Sequence, residues 1–365
     1  MHLEEHLQIL LQHYYAREQI ALYQEKMGEL YAFQDPENIA IEVSRRLIDI
    51  QKRSDSNLYT MKQLALQSIN EREANISNPK ELGGLPSGIR ELDKATNGFK
   101  EPELTIIAGR PAMGKTAVVL SVAKATATQG DPVVVFSLEM AAMQLYKRIQ
   151  SNETQINGMR IRTLKLSAYE LDSLNKADQY LADLPIYIDD TASLNIDKLR
   201  MLIAIYIQLY GIKLVVVDYL QLLEAEVNRF GASNSAIGQV SRKLKIFAKE
   251  FNIPIIALAQ LSRAVESRTA TGCKPMLADL RESGNIEQDA DNVIFLWRPE
   301  YYEILQEIPI RGYVDPFSYK NLLVFIIAKI REGETRSIPA YADLSTMTIK
   351  DHPDVITEDQ TEMPF

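Results

Sequence analysis

The stretch that decides the fold is LTIIAGRPAMGKT, residues 104–116. It begins with an apolar run typical of a buried strand and continues into G-x-x-x-x-G-K-[ST], a pattern of phosphate-binding loops. The pattern residues are Gly109, Arg110, Pro111, Ala112, Met113, Gly114, Lys115 and Thr116. A helical pattern over residues 116–127 follows and ends before Gly130. Strand, loop and helix in this order argue against a chance glycine turn and predict a nucleotide-binding site.

The chemistry of such a loop follows from its backbone and from two side chains. Backbone N–H groups and the amino end of the helix attract phosphate oxygens. The pattern assigns Lys115 to the β- and γ-phosphates of a nucleoside triphosphate, and the Thr116 hydroxyl to Mg²⁺. We therefore expect ATP and Mg²⁺ as cofactors.

Further apolar runs resemble buried strands, and helical patterns separate most of them. The runs span residues 133–137, 186–188, 214–217, 255–259, 293–296 and 322–328. Continuous apolar strands that alternate with helices are typical of a mostly parallel sheet covered on both faces. The sequence therefore predicts an α/β fold with a mostly parallel central sheet flanked by helices.

Polar residues directly follow three of these runs: Glu139, Asp218 and Gln260. In a parallel sheet such positions share one edge, where open α/β folds bind ligands. We expect Asp218 to hold Mg²⁺ and Glu139 to orient and deprotonate an attacking water. Gln260 is a candidate for a hydrogen bond to the γ-phosphate. For each residue taken alone, a helix cap or a satisfied polar group at the sheet edge is an equally good explanation.

Two cations, Lys329 and Arg331, stand at the end of the last apolar run. Because they are two residues apart, they point to the same side of the strand. Together they could neutralise charge on a transferring phosphoryl group. Spacing alone favours the alternative, a solvated strand end.

Composition and charge exclude several classes of protein. An apolar fraction of 46% argues against general disorder, and a single cysteine excludes a disulfide framework. The net charge is −9, and residues 81–350 hold 31 basic and 32 acidic groups, so a uniformly basic nucleic-acid binder is excluded. We interpret Arg242, Lys245 and Lys249 as one solvated helix face. With neither a signal peptide nor a membrane span in the sequence, we expect a cytoplasmic protein without membrane association.

The chain is predicted to have three parts. Residues 1–80 carry three helical patterns, the second opened by Asp35-Pro36 and the third starting near Met61. A breaker-rich stretch with Pro79 and Gly83-Gly84 then marks a boundary near residue 80. Residues 81–350 form the nucleotide-binding domain, and the acidic residues 351–365 form a disordered tail.

Residues 81–350 resemble the bacterial replicative DNA helicase family, the DnaB-type helicases with a RecA-like motor domain. The resemblance starts with Gly88-x4-Asp93-x4-Gly98-Phe99 and the phosphate loop. Further matching motifs, in chain order, are FSLEM (136–140), VVVDYLQL (215–222), AQLSR (259–263), DLRESG (279–284), IEQDAD (286–291) and KIREG (329–333). So many motifs in the same order make the resemblance specific.

The resemblance implies roles that no single motif shows. Such helicases form six-membered rings with ATP sites between subunits, so Arg331 would act as an arginine finger on the neighbour's nucleotide, with Lys329 beside it. A central channel would hold single-stranded DNA while forked duplex DNA is unwound at the replication fork. Arg281, Glu282 and Gly284 match the family's DNA-contacting loop. Arg229 lies in a second candidate loop for DNA.

The N-terminal part departs from the resemblance. The family usually carries a helical N-terminal collar that helps to recruit primase, whereas only about 80 residues precede the motor here. Residues 58–73 resemble the linker helix that docks on the adjacent subunit. Contacts with primase and with a helicase loader therefore stay open.

These observations favour an ATP-dependent replicative DNA helicase, and two alternatives remain. A RecA-type recombinase or strand-annealing ATPase would share the fold and the nucleotide chemistry. A nucleotide-switched P-loop binding module would be expected to have lost a catalytic or finger residue, and Glu139 and Arg331 are both present.

Overall fold

The predicted strands form one sheet in the computed structural model of the protein. The structure describes residues 2–32, 35–54, 59–77, 82–223, 236–268, 272–283 and 286–355. The chain divides into two compact units, Met1–Glu81 with Asp197–Leu202, and Leu82–Ile196 with Ile203–Phe365. The second unit contains the sheet and every predicted nucleotide-site residue.

The sheet has nine strands in the described part of the chain, in the order β3-β2-β4-β5-β1-β6-β7-β8-β9. They are β1 (Leu104–Gly109), β2 (Val133–Ser137), β3 (Ile186–Asp189), β4 (Leu214–Asp218), β5 (Ile255–Gln260), β6 (Asn292–Trp297), β7 (Leu322–Lys329), β8 (Ser337–Asp343) and β9 (Thr348–Asp351). Neighbours from β3 to β6 pair in parallel, and β6 to β9 pair antiparallel. The prediction of a mostly parallel sheet is confirmed, and so are all seven predicted strands.

The register brings the carboxyl ends of the central strands level with one another. Gly109 at the end of β1 pairs with Gln260 of β5, and Ser137 of β2 pairs with Asp218 of β4. These strands are buried along nearly their whole length. Burial on both faces explains why their sequences are continuous apolar runs rather than alternating ones.

Helices of the second unit flank its sheet. The helices in the described residues of both units are α1 (His2–Tyr31), α2 (Pro36–Ser54), α3 (Met61–Ser77), α4 (Arg90–Thr96), α5 (Lys115–Thr128), α6 (Ala142–Thr154), α7 (Gly158–Thr163), α8 (Ala168–Ala182), α9 (Ile196–Tyr210), α10 (Ala236–Phe251) and α11 (Ile286–Asp289). Helix α5 packs on the sheet face that carries Ile107, Ile256 and Ile294. Helix α10 contacts β1 and β5 and buries Val240 and Leu244. None of the described helices is long and apolar enough to cross a membrane.

The first unit is helical, as predicted. Helices α1 and α2 pack together, and the buried Lys26 of α1 pairs with Glu29 at 2.8 Å and with Glu42 of α2 at 2.6 Å. Helix α3 starts with a reciprocal cap, in which Thr60 N donates to Gln63 Oε1 at 2.8 Å and Gln63 N donates to Thr60 Oγ1 at 3.3 Å. This cap explains why the third helix starts at Met61.

Strands β8 and β9 form an antiparallel hairpin that was not predicted from the sequence. Strand β8 contains Pro339, and proline within a run argues against a strand in sequence-based prediction. Pro339 pairs with Val324 of β7, while β9 pairs with β8 only from Ala340 onward. Pro339 thus lies beyond the end of β9, at the kind of edge position where strands tolerate proline. Asp351, the first residue of the predicted tail, ends β9, and residues 356–365 lie outside the described residues.

Ile107 offers a test of this core. It is fully buried in the centre of β1, against helix α5. We expect Ile107→Ala to lower the free energy of unfolding by about 2–5 kcal/mol, because it removes buried methyl groups and leaves a cavity. Urea unfolding followed by circular dichroism measures the loss. Leu171→Ala, on an exposed position of α8, is the matched control and should change stability by less than about 0.5 kcal/mol. Equal effects of the two changes would contradict the described core.

Candidate active site

The phosphate loop connects β1 to α5 in a conformation that needs glycine. Gly114 has a φ of 91°, and a Cβ at this position would come within 3.1 Å of Leu344 Cδ2. Gly114 is also the residue that precedes α5, and it provides no side-chain cap. The first N–H groups of α5 therefore point at the loop without a capping side chain, which suits them to bind phosphate oxygens.

Lys115 lies over this loop. Its Nζ donates to Gly109 O at 2.8 Å and to Arg110 O at 3.1 Å. Burial lowers the pKa of Lys115 to about 8, although the charges of Asp218 and Glu139 oppose the shift. The ammonium group is thus held at the loop in a poorly solvated position, where an anion would be a strong partner.

Thr116 and Asp218 form a pair of oxygen ligands. Thr116 Oγ1 donates to Asp218 Oδ2 at 3.0 Å, and Asp218 is 3% exposed at the end of β4. Burial and the nearby Glu139 raise the pKa of Asp218, against the hydrogen bond from Thr116 and the charge of Lys115. A hydroxyl and a carboxylate side by side are the donors that Mg²⁺ takes alongside phosphate oxygens. The residues present therefore fit the expected Mg²⁺.

Glu139 stands at the tip of a tight turn after β2. Ser137 Oγ donates to Met140 O at 2.7 Å and accepts from Met140 N at 3.3 Å, which closes the turn. Leu138 N donates to Asp218 O at 2.9 Å and ties the turn to the end of β4. The Glu139 side chain is exposed to the cleft that Lys115 and Asp218 line.

Gln260 ends β5 beside the phosphate loop. Its backbone is held by Gln221, whose Nε2 donates to Gln260 O at 3.1 Å and whose Oε1 accepts from Gln260 N at 3.4 Å. The Gln260 side chain is exposed and lines the same cleft. These two hydrogen bonds use only the backbone of Gln260, so they do not occupy its side-chain amide.

One cleft of about 300 Å³ joins these residues. Its lining includes eight residues predicted from the sequence: Pro111, Ala112, Gly114, Lys115, Thr116, Glu139, Asp218 and Gln260. It also includes residues that the sequence analysis missed, Met140, Arg148, Tyr219, Leu344 and Met347. Leu344 and Met347 belong to the turn between β8 and β9, and they were missed because that hairpin was missed.

Among the unpredicted lining residues named above, Arg148 is the one that carries a positive charge. It lies on α6 between the cleft and the helix surface, and burial lowers the pKa of its guanidinium while the charges of Asp218 and Glu139 oppose the shift. No motif marks it, because its position depends on how α6 packs. It adds a second cation, beside Lys115, to the lining of the cleft.

Arg110 takes part in the loop through its backbone only. Its side chain is buried, with Nε 2.8 Å from Glu266 Oε1 and NH1 2.9 Å from Leu261 O. The guanidinium is therefore occupied away from the cleft. Arg298, which the sequence analysis also missed, donates from NH1 to Ala112 O at 3.3 Å and holds the loop from the other side.

Lys329 and Arg331 lie at the opposite edge of the sheet. Lys329 pairs with Val293 of β6, and Arg331 N donates to Asn292 Oδ1 at 3.4 Å. Asn292 is level with Thr105, near the start of β1. Gly109, where the loop begins, lies four residues further along β1, at about 13 Å from Thr105. Arg331 is therefore too far from the phosphate loop to reach the cleft of its own chain.

The side chains of both cations are hydrogen-bonded to the protein, although that of Arg331 stays exposed. Lys329 Nζ donates to Glu287 O at 2.7 Å and to Ala290 O at 2.6 Å, and Arg331 NH1 donates to Asp291 Oδ1 at 2.9 Å. Both contact the same segment, as their spacing predicted.

The interpretation of Lys245 as part of a solvated face was wrong, since its Nζ donates to Pro102 O at 2.9 Å and to Asp291 Oδ2 at 2.6 Å.

Only the backbone of two predicted DNA-contacting residues, Arg281 and Glu282, lies in the described part of the structure. The backbone of residues 277–283 forms a short 3₁₀ helix, Leu277–Ser283. Gly284, Arg229 and the side chains of Arg281 and Glu282 fall outside the described residues. Their roles stay predictions.

Known proteins are similar to this chain in sequence. Residues 84–351 match the family described as DnaB-like helicase C terminal domain. The chain is 37% identical over 299 residues to the replicative DNA helicase DnaB of Geobacillus stearothermophilus, covering 81% of this chain and 63% of the relative. It is 35% identical over 304 residues to the replicative DNA helicase DnaC of Bacillus subtilis (strain 168), covering 83% of this chain and 64% of the relative. The chain thus spans somewhat less than two thirds of the length of these relatives.

Two solved structures share the architecture. One, described as an ATPase domain, superposes with a TM-score of 0.72 at 32% identity, covering 82% of this chain and all of that domain. A DnaB-like replicative helicase, described with its interactions with primase, superposes with a TM-score of 0.69 at 30% identity, covering 96% of this chain and 79% of the helicase. The predicted RecA-like α/β fold is confirmed. The chain belongs to the DnaB-like helicase family, and its residues 84–351 correspond to the C-terminal domain of that family.

Proposed function

We propose that the chain is the motor of an ATP-dependent replicative DNA helicase, which forms a ring, moves along single-stranded DNA and unwinds duplex at the replication fork. The observation that carries the proposal is that the residues predicted to act on the nucleotide lie at two opposite edges of one sheet. Lys115, Thr116 and Asp218 share one cleft, while Arg331 lies at the far edge. A second copy of the chain is needed to bring Arg331 to a cleft.

In this proposal the cleft binds ATP by its phosphates. Backbone N–H groups of the loop and the Lys115 ammonium hold the β- and γ-phosphates. Mg²⁺ bound with ATP supplies charge neutralisation on the phosphate oxygens. Thr116 and Asp218 hold the cation through oxygens that already lie 3.0 Å apart. Arg148, which also lines the cleft, adds positive charge.

Glu139 is the proposed general base for the attacking water. The Ser137 turn fixes its position, and its exposure to the cleft lets a water reach the carboxylate. Gln260, at the same edge, is the proposed sensor of the γ-phosphate. Because Gln260 is the last residue of β5, loss of that phosphate would act on the segment that follows it, Arg263–Ser267.

Ring assembly is proposed from Arg331 and from helix α3. Arg331 is 68% exposed in the single chain, as a residue that acts on a neighbour must be. Helix α3 exposes several apolar side chains: Met61, Leu64, Leu66, Ile69 and Ile76. An exposed apolar series of this kind is typical of an interaction surface, and we propose that it docks on the adjacent subunit of a hexamer.

The proposed macromolecular partners follow the family. Single-stranded DNA would be held in the channel by Arg281, Glu282 and Gly284, with Arg229 in a second loop. Arginines repeated around a ring would hold a phosphate backbone while the chain as a whole stays acidic. Primase and a helicase loader are the proposed protein partners, and the support for primase is the solved DnaB-like relative described with it.

Two assays on the same preparation test the function. We expect single-stranded DNA to stimulate ATP hydrolysis and a forked duplex to be separated only with ATP. Glu139→Gln should keep nucleotide binding but lose about 10²- to 10⁴-fold in turnover, because the water loses its base. Glu307→Gln, at an exposed surface position, is the matched control. Hydrolysis that ignores DNA, together with no strand separation, would contradict a helicase; DNA-stimulated hydrolysis without separation would favour a recombinase or annealing ATPase.

The pKa of Lys115 predicts an alkaline limit to activity. With a pKa of about 8, the free enzyme loses the Lys115 charge as the pH rises through that value. We therefore expect kcat/KM for ATP to be constant below about pH 8 and to fall roughly tenfold per pH unit above it. Lys115→Arg should lack this fall at whatever activity it retains, because a guanidinium stays charged. A flat wild-type profile up to about pH 9.5 would count against the role given to Lys115.

Mixing of two inactive variants tests the shared site. Arg331→Ala should bind nucleotide normally but lose about 10³- to 10⁵-fold in turnover, the range for removal of an arginine finger. Mixed with Glu139→Gln subunits, it should regain activity at intermediate ratios, because some interfaces then pair an intact cleft with an intact finger. Arg311→Ala, an exposed arginine elsewhere, is the control and should be active alone. Absence of rescue at every ratio would argue against a site between subunits.

A further inference from the structure

A buried carboxylate lies between Arg331 and the start of the central strand. Asp291 is 4% exposed and accepts three hydrogen bonds. They come from Lys245 Nζ at 2.6 Å, from Leu104 N at 2.8 Å and from Arg331 NH1 at 2.9 Å. One side chain thus connects helix α10, the first residue of β1 and the proposed finger.

We propose that Asp291 is a positioning residue for Arg331, which fixes the place where the guanidinium meets the nucleotide of the neighbouring copy. This inference rests on the proposed function, because it deepens the role given to Arg331. It goes beyond that role by assigning the orientation of the finger to a residue outside the cleft.

The surroundings of Asp291 make it a rigid support. Its carboxylate is fixed by the backbone of β1 and by Lys245, so it does not follow the movements of an exposed arginine. A long side chain that is already held in place loses less rotamer freedom when it engages a ligand. The guanidinium has five N–H donors and is 68% exposed, so a bond to Asp291 leaves donors for phosphate oxygens.

The charges favour the same conclusion. Burial alone would raise the pKa of Asp291, but the hydrogen bonds from Lys245, Leu104 N and Arg331 outweigh it and hold the pKa below the ordinary value. The carboxylate is therefore ionised at neutral pH. Two cations share this one negative charge, so Asp291 orients Arg331 without cancelling the positive charge that the transition state needs. Lys329, held by two carbonyls beside Asp291, adds to this positive charge.

The competing explanation is that Asp291 only joins α10 to β1. Asp289 provides the matched comparison, because it lies two residues earlier on the same segment. Its Oδ2 accepts from Ser241 Oγ of α10 at 2.6 Å, and the described contacts of Asp289 do not include Arg331. A purely structural role would make the two aspartates similar, whereas the positioning role makes them different.

The first experiment compares isosteric variants of the two aspartates. Asp291→Asn should lower the kcat of DNA-stimulated hydrolysis by about 10- to 100-fold, the cost of a misplaced catalytic group, with the Kd for a fluorescent ATP analogue unchanged. Asp289→Asn should keep kcat within about twofold of wild type. In the Arg331→Ala background, Asp291→Asn should add no further loss, because its effect passes through Arg331. A wild-type kcat for Asp291→Asn, or a further loss in that background, overturns the inference.

The second experiment uses mixed rings. Asp291→Asn subunits keep an intact cleft, and Lys115→Ala subunits keep an intact finger, so their mixture should regain turnover. Arg331→Ala mixed with Lys115→Ala is the reference. If the reference pair is rescued and the Asp291→Asn pair is not, Asp291 is structural and the inference fails. If the reference pair is not rescued, the proposed shared site itself is wrong, which is a different failure.

A second variant covers the case in which Asp291→Asn does not fold. Lys245→Gln keeps the Asp291 carboxylate but removes the ion pair that joins it to α10. We expect a smaller loss of kcat, about 3- to 10-fold, with unchanged nucleotide affinity and rescue by Lys115→Ala subunits. A wild-type kcat for Lys245→Gln, or a loss without rescue, would overturn the inference in that case.

Discussion

The pairing of β1 between β5 and β6 is the constraint on which the rest of the structure depends. All six residues of β1 are buried, so their backbone groups have to be satisfied by the two neighbouring strands. That requirement fixes the register, with Gly109 level with Gln260. The phosphate loop can therefore emerge at only one edge. The ends of β2 and β4 meet the same edge, which gathers Glu139 and Asp218 around the loop.

The antiparallel strand β7 brings Lys329 and Arg331 to the edge of the sheet opposite the phosphate loop. Because β7 runs opposite to β6, its final residues return to the level at which β1 begins, and Arg331 follows there. The length of β1 then separates Arg331 from the loop of its own chain by more than its side chain spans. In the proposed helicase, the need for a neighbouring subunit is therefore a consequence of strand direction, and Asp291 secures the finger at that edge.

The sequence analysis succeeded where a local pattern has one structural outcome. Seven strands were predicted from apolar runs, since a strand buried on both faces needs such a run. Prediction from sequence failed where the packing of distant segments determines the position of a residue. Pro339 concealed β8, and with it the contribution of Leu344 and Met347 to the cleft. Lys245 was interpreted as part of a solvated helix face, yet α10 brings its Nζ to the buried carboxylate of Asp291. Arg148 was not predicted at all, because only the packing of α6 brings it to the cleft.

The sequence by itself determined the phosphate loop, the strands around it and the residue types at their ends. These features depend on a few consecutive residues, on backbone conformation and on burial. Only the tertiary structure decided which strand ends are neighbours, why Arg331 is separated from Lys115 and what holds it there. Those relations depend on strand order and direction, and pairing between distant segments sets them. A run such as KIREG has the same local pattern at either edge of a sheet. Only the hydrogen bonds of Arg331 with Asn292 and Asp291 show at which edge it lies.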